Sequence, residues 1–192
     1  MRKLPIIPTF IVVAAMAVMV ALGFWQLDRK DQKEAMIARF EAAAGNPQPL
    51  SAFPAENPLD SLYRRASFVC ETVTSWSAIA GRNASDAAGY AHVAHCSGGG
   101  GTAEIVLGWS REPGNPAWSG GTVQGMIAPG SEAGWRLVAD PPQAGLEANA
   151  TPDPSDTPNN HLAYAGQWFF FALVAGVIYI LAVRKRLRES GK

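Results

Sequence analysis

The sequence predicts a membrane protein. Two transmembrane α-helices, one N-terminal and one C-terminal, enclose a small, mainly antiparallel β domain, either barrel-like or an open sheet. Three observations predict this. Leu4 to Leu27 and Leu162 to Val183 are runs of 24 and 22 residues without a charge, and about 20 apolar residues cross a bilayer as a helix. Between residues 60 and 140 no helical period of useful length occurs, and short runs rich in Val, Ile, Thr, Phe and Trp alternate with Gly and Pro. Charge is sorted by segment: the two ends carry 7 basic residues and 1 acid, the middle 9 basic and 15 acidic. The expected division is 1–27 for the first membrane helix, 28–161 for the domain, 162–183 for the second helix, and 184–192 for a basic tail.

The first helix is expected to outrun the membrane. Asp28 to Glu34 is polar and helix-compatible, Met36, Ile37 and Phe40 fall at helical spacing, and Gly45-Asn46-Pro47 supplies a stop. The extension therefore reaches about Ala44, with an apolar stripe suited to packing on the domain. Pro47, Pro49, Pro54 and Pro58 mark an extended connector. Strands are expected over 66–74, 75–80, 89–96, 102–110, 122–127 and 134–139. The run Ser97-Gly98-Gly99-Gly100-Gly101 reads as a flexible hairpin loop. Five prolines between 140 and 160 read as a mobile return to the membrane.

Basic flanks stay cytoplasmic. Both termini are therefore expected inside, with the acidic middle exported. Ala21-Leu22-Gly23 offers a signal-peptidase site, but it lies inside the apolar run, which is longer than the 7–15 residues of a signal core; an uncleaved anchor is the expectation. Equal totals of 16 basic and 16 acidic residues leave no electrostatic footprint for nucleic acid.

An exported domain sits in an oxidising compartment, where Cys70 and Cys96 should pair. A redox or metal-binding thiol pair is the alternative. His92, His95 and Cys96 with distant Cys70 look like copper or zinc ligands. On a strand, however, His92 and Cys96 share one face and His95 the other, so no metal site is assigned. The glycine run is followed by strand-type residues with no Lys nearby, unlike a phosphate-binding loop. Asn83-Ala84-Ser85 and Asn149-Ala150-Thr151 match the glycosylation acceptor pattern. No nucleophile, base and acid stand out together, so no catalytic residue is assigned.

The second membrane helix carries the most chemistry. At 100° per residue, His161, Trp168 and Tyr179 fall close to one line, with Ala165 and Ala172 beside it. One face thus holds an imidazole, large rings and small residues between them. A flat macrocycle could lie there with His161 as axial ligand. Aromatic anchoring at the membrane interface is the alternative. Ala17-xxx-Ala21 and Ala172-xxx-Gly176 offer surfaces where two helices can touch.

Leu22-Gly23-Phe24-Trp25-Gln26-Leu27-Asp28-Arg29-Lys30-Asp31-Gln32-Lys33 resembles the first signature of the Surfeit locus protein 1 family. His161-Leu162-Ala163-Tyr164-Ala165-Gly166-Gln167-Trp168-Phe169 resembles the second. Tyr63-Arg64-Arg65-Ala66, Gly81-Arg82-Asn83, Gly108-Trp109 and Val123-Gln124-Gly125 fall between them in the family's order. The chain departs from the pattern at Leu107, where the family has an Arg before Gly-Trp. The resemblance implies two membrane helices enclosing an exported domain, in the bacterial inner membrane, and a non-enzymatic role in assembling haem-copper oxidases. It implies haem a as cofactor, held transiently by His161 with Trp168 and Tyr164. The implied partners are the catalytic subunit of an aa3-type cytochrome c oxidase, haem a synthase and the lipid bilayer. Two other roles compete: a thiol- or copper-handling factor using Cys70 and Cys96, and a permanent oxidase subunit.

Overall fold

The computed structural model describes residues 6–51, 53, 59–98, 101–130 and 134–189. Residues 99 and 100 of the glycine run, Pro54 and Pro58 of the connector, and Arg2, Lys3 and Lys192 lie outside the described residues. The elements are helix α1 (Ile6–Ala44), strands β1 (Arg65–Cys70), β2 (Thr72–Arg82), β3 (Ala88–Gly98), β4 (Gly101–Ser110), β5 (Gly121–Pro129) and β6 (Trp135–Ala139), and helix α2 (His161–Glu189). They fall into two compact units, one of residues 1–36 and 158–192, the other of residues 37–157.

Both helices are long and apolar enough to cross a membrane. Past its apolar run, α1 is held by its own side chains. Lys30 donates to Glu34 at 2.8 Å and Gln32 donates to Asp28 at 2.7 Å, each four residues apart, a spacing that places side chains on one helix face. The backbone N–H groups of Gly45 and Asn46 close the last turn on the carbonyls of Glu41 and Ala43. Asn46 then accepts from the Gln48 N–H, and Pro47 cannot continue the helix.

In the second unit the strands form one open, mixed sheet in the order β1-β5-β6-β4-β3-β2. The ladder does not close into a barrel. Its two edge strands are nonetheless consecutive in the chain, separated only by Glu71. The break in that long strand falls at Glu71, not between Thr74 and Ser75, because β1 pairs with β5 while β2 pairs with β3. Thr74 is instead the extra residue of a bulge in β2. Pairing is antiparallel except between β4 and β6, where Ile105 lies against Leu137 and Val106 against Val138 in parallel.

Alternation along the strands builds the core. Ala66, Phe68 and Cys70 of β1, Val123 and Ile127 of β5, Leu137 of β6 and Ile105 and Leu107 of β4 are all buried. The opposite face carries a smaller apolar cluster of Ala91, Val93 and Val106, with Ile79 and Val138 against it. Phe40, on the α1 extension, is buried against Tyr63 with ring centroids 5.1 Å apart. Phe40 of the apolar stripe thus packs on the domain.

The proline-rich return after β6 is not the free tether its composition predicts. Gln143 N–H donates to Leu107, Glu147 and Trp109 exchange both backbone bonds, Ala84 N–H donates to Ala148, and Ala150 N–H donates to Arg82. Asn83 adds a side-chain bond to Glu147 at 2.8 Å. Gly108 allows this approach, since a Cβ there would lie 2.4 Å from Leu146 Cβ. Proline density reports missing N–H donors; it does not report the donors that neighbouring strands supply.

Candidate functional site

Within the unit formed by α1 and α2, contacts run in opposite order along the two helices. His161 Nδ1 donates to Gln26 Oε1 at 2.8 Å. Phe169 meets Phe24 edge to face, with centroids 5.4 Å apart, and its ring lies over Gly23. Gly176 lies against Met16, and the hydroxyls of Tyr179 and Thr9 are hydrogen-bonded. On α1 the contact residues Thr9, Met16 and Gly23 repeat every seven positions, the spacing of a left-handed antiparallel helix pair. Gly23 is required by its neighbour: a Cβ there would sit 2.5 Å from Phe169 Cε1.

This seam occupies the face of α2 on which the sequence places His161, Ala165, Ala172 and Tyr179. Ala165 is 1% exposed and Ala172 4%. These small residues are therefore part of a packed helix surface, and they do not leave gaps for a ring between the large side chains. Trp168 is half-buried and stands edge-on to Phe171 at 6.3 Å. Tyr164 is 47% exposed. A planar ligand at His161 has the surface of Tyr164 and Trp168 available and not the seam itself.

The hydrogen bond to Gln26 sets what His161 can do. An amide oxygen only accepts, so Nδ1 carries a proton, and in the neutral tautomer this bond selects, the lone pair lies on Nε2. A ring held through one nitrogen with the other free is the arrangement found in metal-ligating histidines. The residues therefore fit a haem iron at Nε2. Sequence reasoning left Gln26 without a role, although it stands in the Gly23-Phe24-Trp25-Gln26 signature. The overlooked signal was that two signatures 135 residues apart each carried a group able to partner the other.

A family model described as the SURF1 family matches residues 13–173. The chain belongs to the SURF1 family. This is a family of cytochrome oxidase assembly factors and not a family of enzymes. No curated protein matches the chain. In this SURF1-family chain the two end signatures are the two sides of one contact: Gly23 and Phe24 receive Phe169, and Gln26 holds His161. The two helices that make the contact are the two that are long and apolar enough to cross a membrane.

The other sequence-predicted groups lie in the β domain. Cys70 and Cys96 form a disulfide joining β1 to β3, with Cα atoms 5.3 Å apart. No free cysteine remains. His92 and His95 turn to opposite faces of β3. His92 is 1% exposed. Its Nε2 donates to Ser110 Oγ at 2.8 Å, and that hydroxyl donates onward to the Glu112 carbonyl. Burial pushes the His92 pKa below its ordinary value, against a smaller opposing effect from the Glu112 backbone. His95 Nε2 pairs with Ser77 Oγ at 3.1 Å. Among the described residues no three His, Cys, Asp or Glu side chains gather where a metal could be held. Asn83 is 8% exposed and bonds the backbone of Ser85 and Ala87; Asn149 has a buried amide. Leu107 is fully buried beside a β4 bulge, so the position where the family has an Arg is a core position here.

Proposed function

We propose that this chain is a membrane-bound assembly factor for an aa3-type cytochrome c oxidase. It holds haem a in transit to the catalytic subunit and has no turnover of its own. The observation that carries the reading is the His161–Gln26 hydrogen bond, which engages Nδ1 and leaves Nε2 without a hydrogen bond among the described residues, at the start of an apolar helix. When bound, haem a would supply an iron that takes a nitrogen ligand; His161 would hold it, with Trp168 and Tyr164 as ring surface. Haem a synthase is the expected donor and the oxidase catalytic subunit the acceptor. The excess of basic residues at both ends supports cytoplasmic termini and a periplasmic β domain.

The test is to purify the protein from cells making haem a and record its spectrum. Wild type should carry haem a, and His161→Ala should lose it or shift its bands while still inserting and folding. Trp168→Ala should weaken retention less, since it removes packing area and not a coordinate bond. Equal haem a in wild type and His161→Ala would remove the ligand assignment. Stoichiometric presence in the mature oxidase would mark a permanent subunit instead of an assembly factor.

A further inference from the structure

The β domain has a second feature that the disulfide, the core and the helix seam do not use. On the face opposite the main core, Ile79, Val106 and Val138 form the floor of an open hollow of about 350 Å³, with Arg136, Arg82 and Asn149 around it. Arg82 is paired with Asp86 at 3.2 Å. Arg136 forms no ion pair or hydrogen bond among the described residues, and its Nε is buried without a partner. Both the nitrogen and the oxygen of the Asn149 amide are also buried and unpartnered.

Among the described residues the nearby acids do not neutralise Arg136. Asp140 is 3.3 Å from Arg65, Asp86 holds Arg82, and Glu147 accepts from Asn83. Glu104 precedes Ile105 of β4 as Arg136 precedes its register partner Leu137 of β6. It lines a separate hollow with Thr74 and His95 instead. Buried polar groups without partners, such as the Arg136 Nε, are rare in folded proteins. An apolar floor beside an arginine has the composition of the centre of a protein interface. The hollow is too open to enclose a small molecule, whose sites typically cover 70–90% of the ligand.

We propose that this hollow is a docking site for a partner protein's extended segment, carrying a carboxylate side chain flanked by small apolar residues. The carboxylate meets the Arg136 guanidinium, and the apolar neighbours lie on Ile79, Val106 and Val138. The site stands independently of the haem proposal.

The test uses the full-length protein in phosphatidylcholine nanodiscs with labelled Ile and Val methyl groups. The probes are acetyl-Val-Glu-Val-amide and its Gln counterpart. The Glu peptide should shift the Ile79, Val106 and Val138 methyl signals saturably. The Gln peptide should bind about tenfold more weakly, as expected for losing a charge-assisted bond. Arg136→Met, which keeps the apolar stem, should cause the same loss with the remaining methyl spectrum unchanged, and salt should weaken the Glu peptide alone. Equal binding of both peptides, no loss in Arg136→Met, or no saturable shift would overturn the proposal. So would acetate matching the Glu peptide's affinity, which would mark a small-anion site only.

Discussion

Removing the Cys70–Cys96 bridge should destabilise the β domain by an amount set by the loop it closes. The two cysteines are 26 residues apart, and closing such a loop in the unfolded chain is worth about 3–4 kcal/mol. The domain of residues 37–157 has roughly 120 residues, each contributing about 2.1 cal/mol/K to the unfolding entropy. The double variant Cys70→Ala/Cys96→Ala should therefore melt about 12–16 °C lower. Both sulfurs are buried, so small cavities add to the loss. The assay is thermal unfolding of the full-length protein in detergent, followed by the β-sheet circular dichroism signal, with and without reductant. Haem a retention should survive below the new midpoint. A shift under about 4 °C would refute the loop-closure reasoning. Loss of oxidase assembly with an undisturbed fold would revive a thiol-handling role.

Gln26→Leu should leave the helix pair intact but free the His161 ring, lowering haem a affinity about 10–100-fold; titration of haem a into the detergent-solubilised protein would measure it. Gly23→Val should force Phe169 from its place over Gly23 and weaken the α1–α2 contact by about 1–3 kcal/mol. That loss is readable as faster proteolysis of the helix pair in detergent. His92 has a folded-state pKa below its ordinary value of 6.5, so the unfolded chain binds the extra proton first. Domain stability should hold above pH 6.5 and fall as pH drops below it, with urea midpoints at pH 7.5 and 5.5 showing the difference. His92→Gln, which can still donate to Ser110, should flatten that slope.

The sequence by itself determined the two membrane helices, the end of α1 near Ala44, the strand-rich middle and the family. Each rests on local signals: apolar run length, Gly-Asn-Pro punctuation, β-branched runs and two short signatures. His92 and His95 could be placed on opposite faces because a strand's period is a backbone property. Tertiary structure decided the rest. Only the register of β1 with β5 and of β2 with β3 places the break at Glu71 and brings Cys70 to Cys96. Only the parallel placement of β6 beside β4 puts Arg136 near Val106. The proline-rich 140–150 segment looked free because its hydrogen-bond donors and acceptors come from β2 and β4, which its own residues do not reveal. The same holds for the site. His161 was legible as a helix-start imidazole, but the seam that fills the face around Ala165 and Ala172 belongs to α1. The proton on Nδ1 is fixed by Gln26, 135 residues earlier in the chain. Hydrogen bonds and packing between distant segments depend on how the chain returns to itself, and a one-dimensional pattern carries no record of that return.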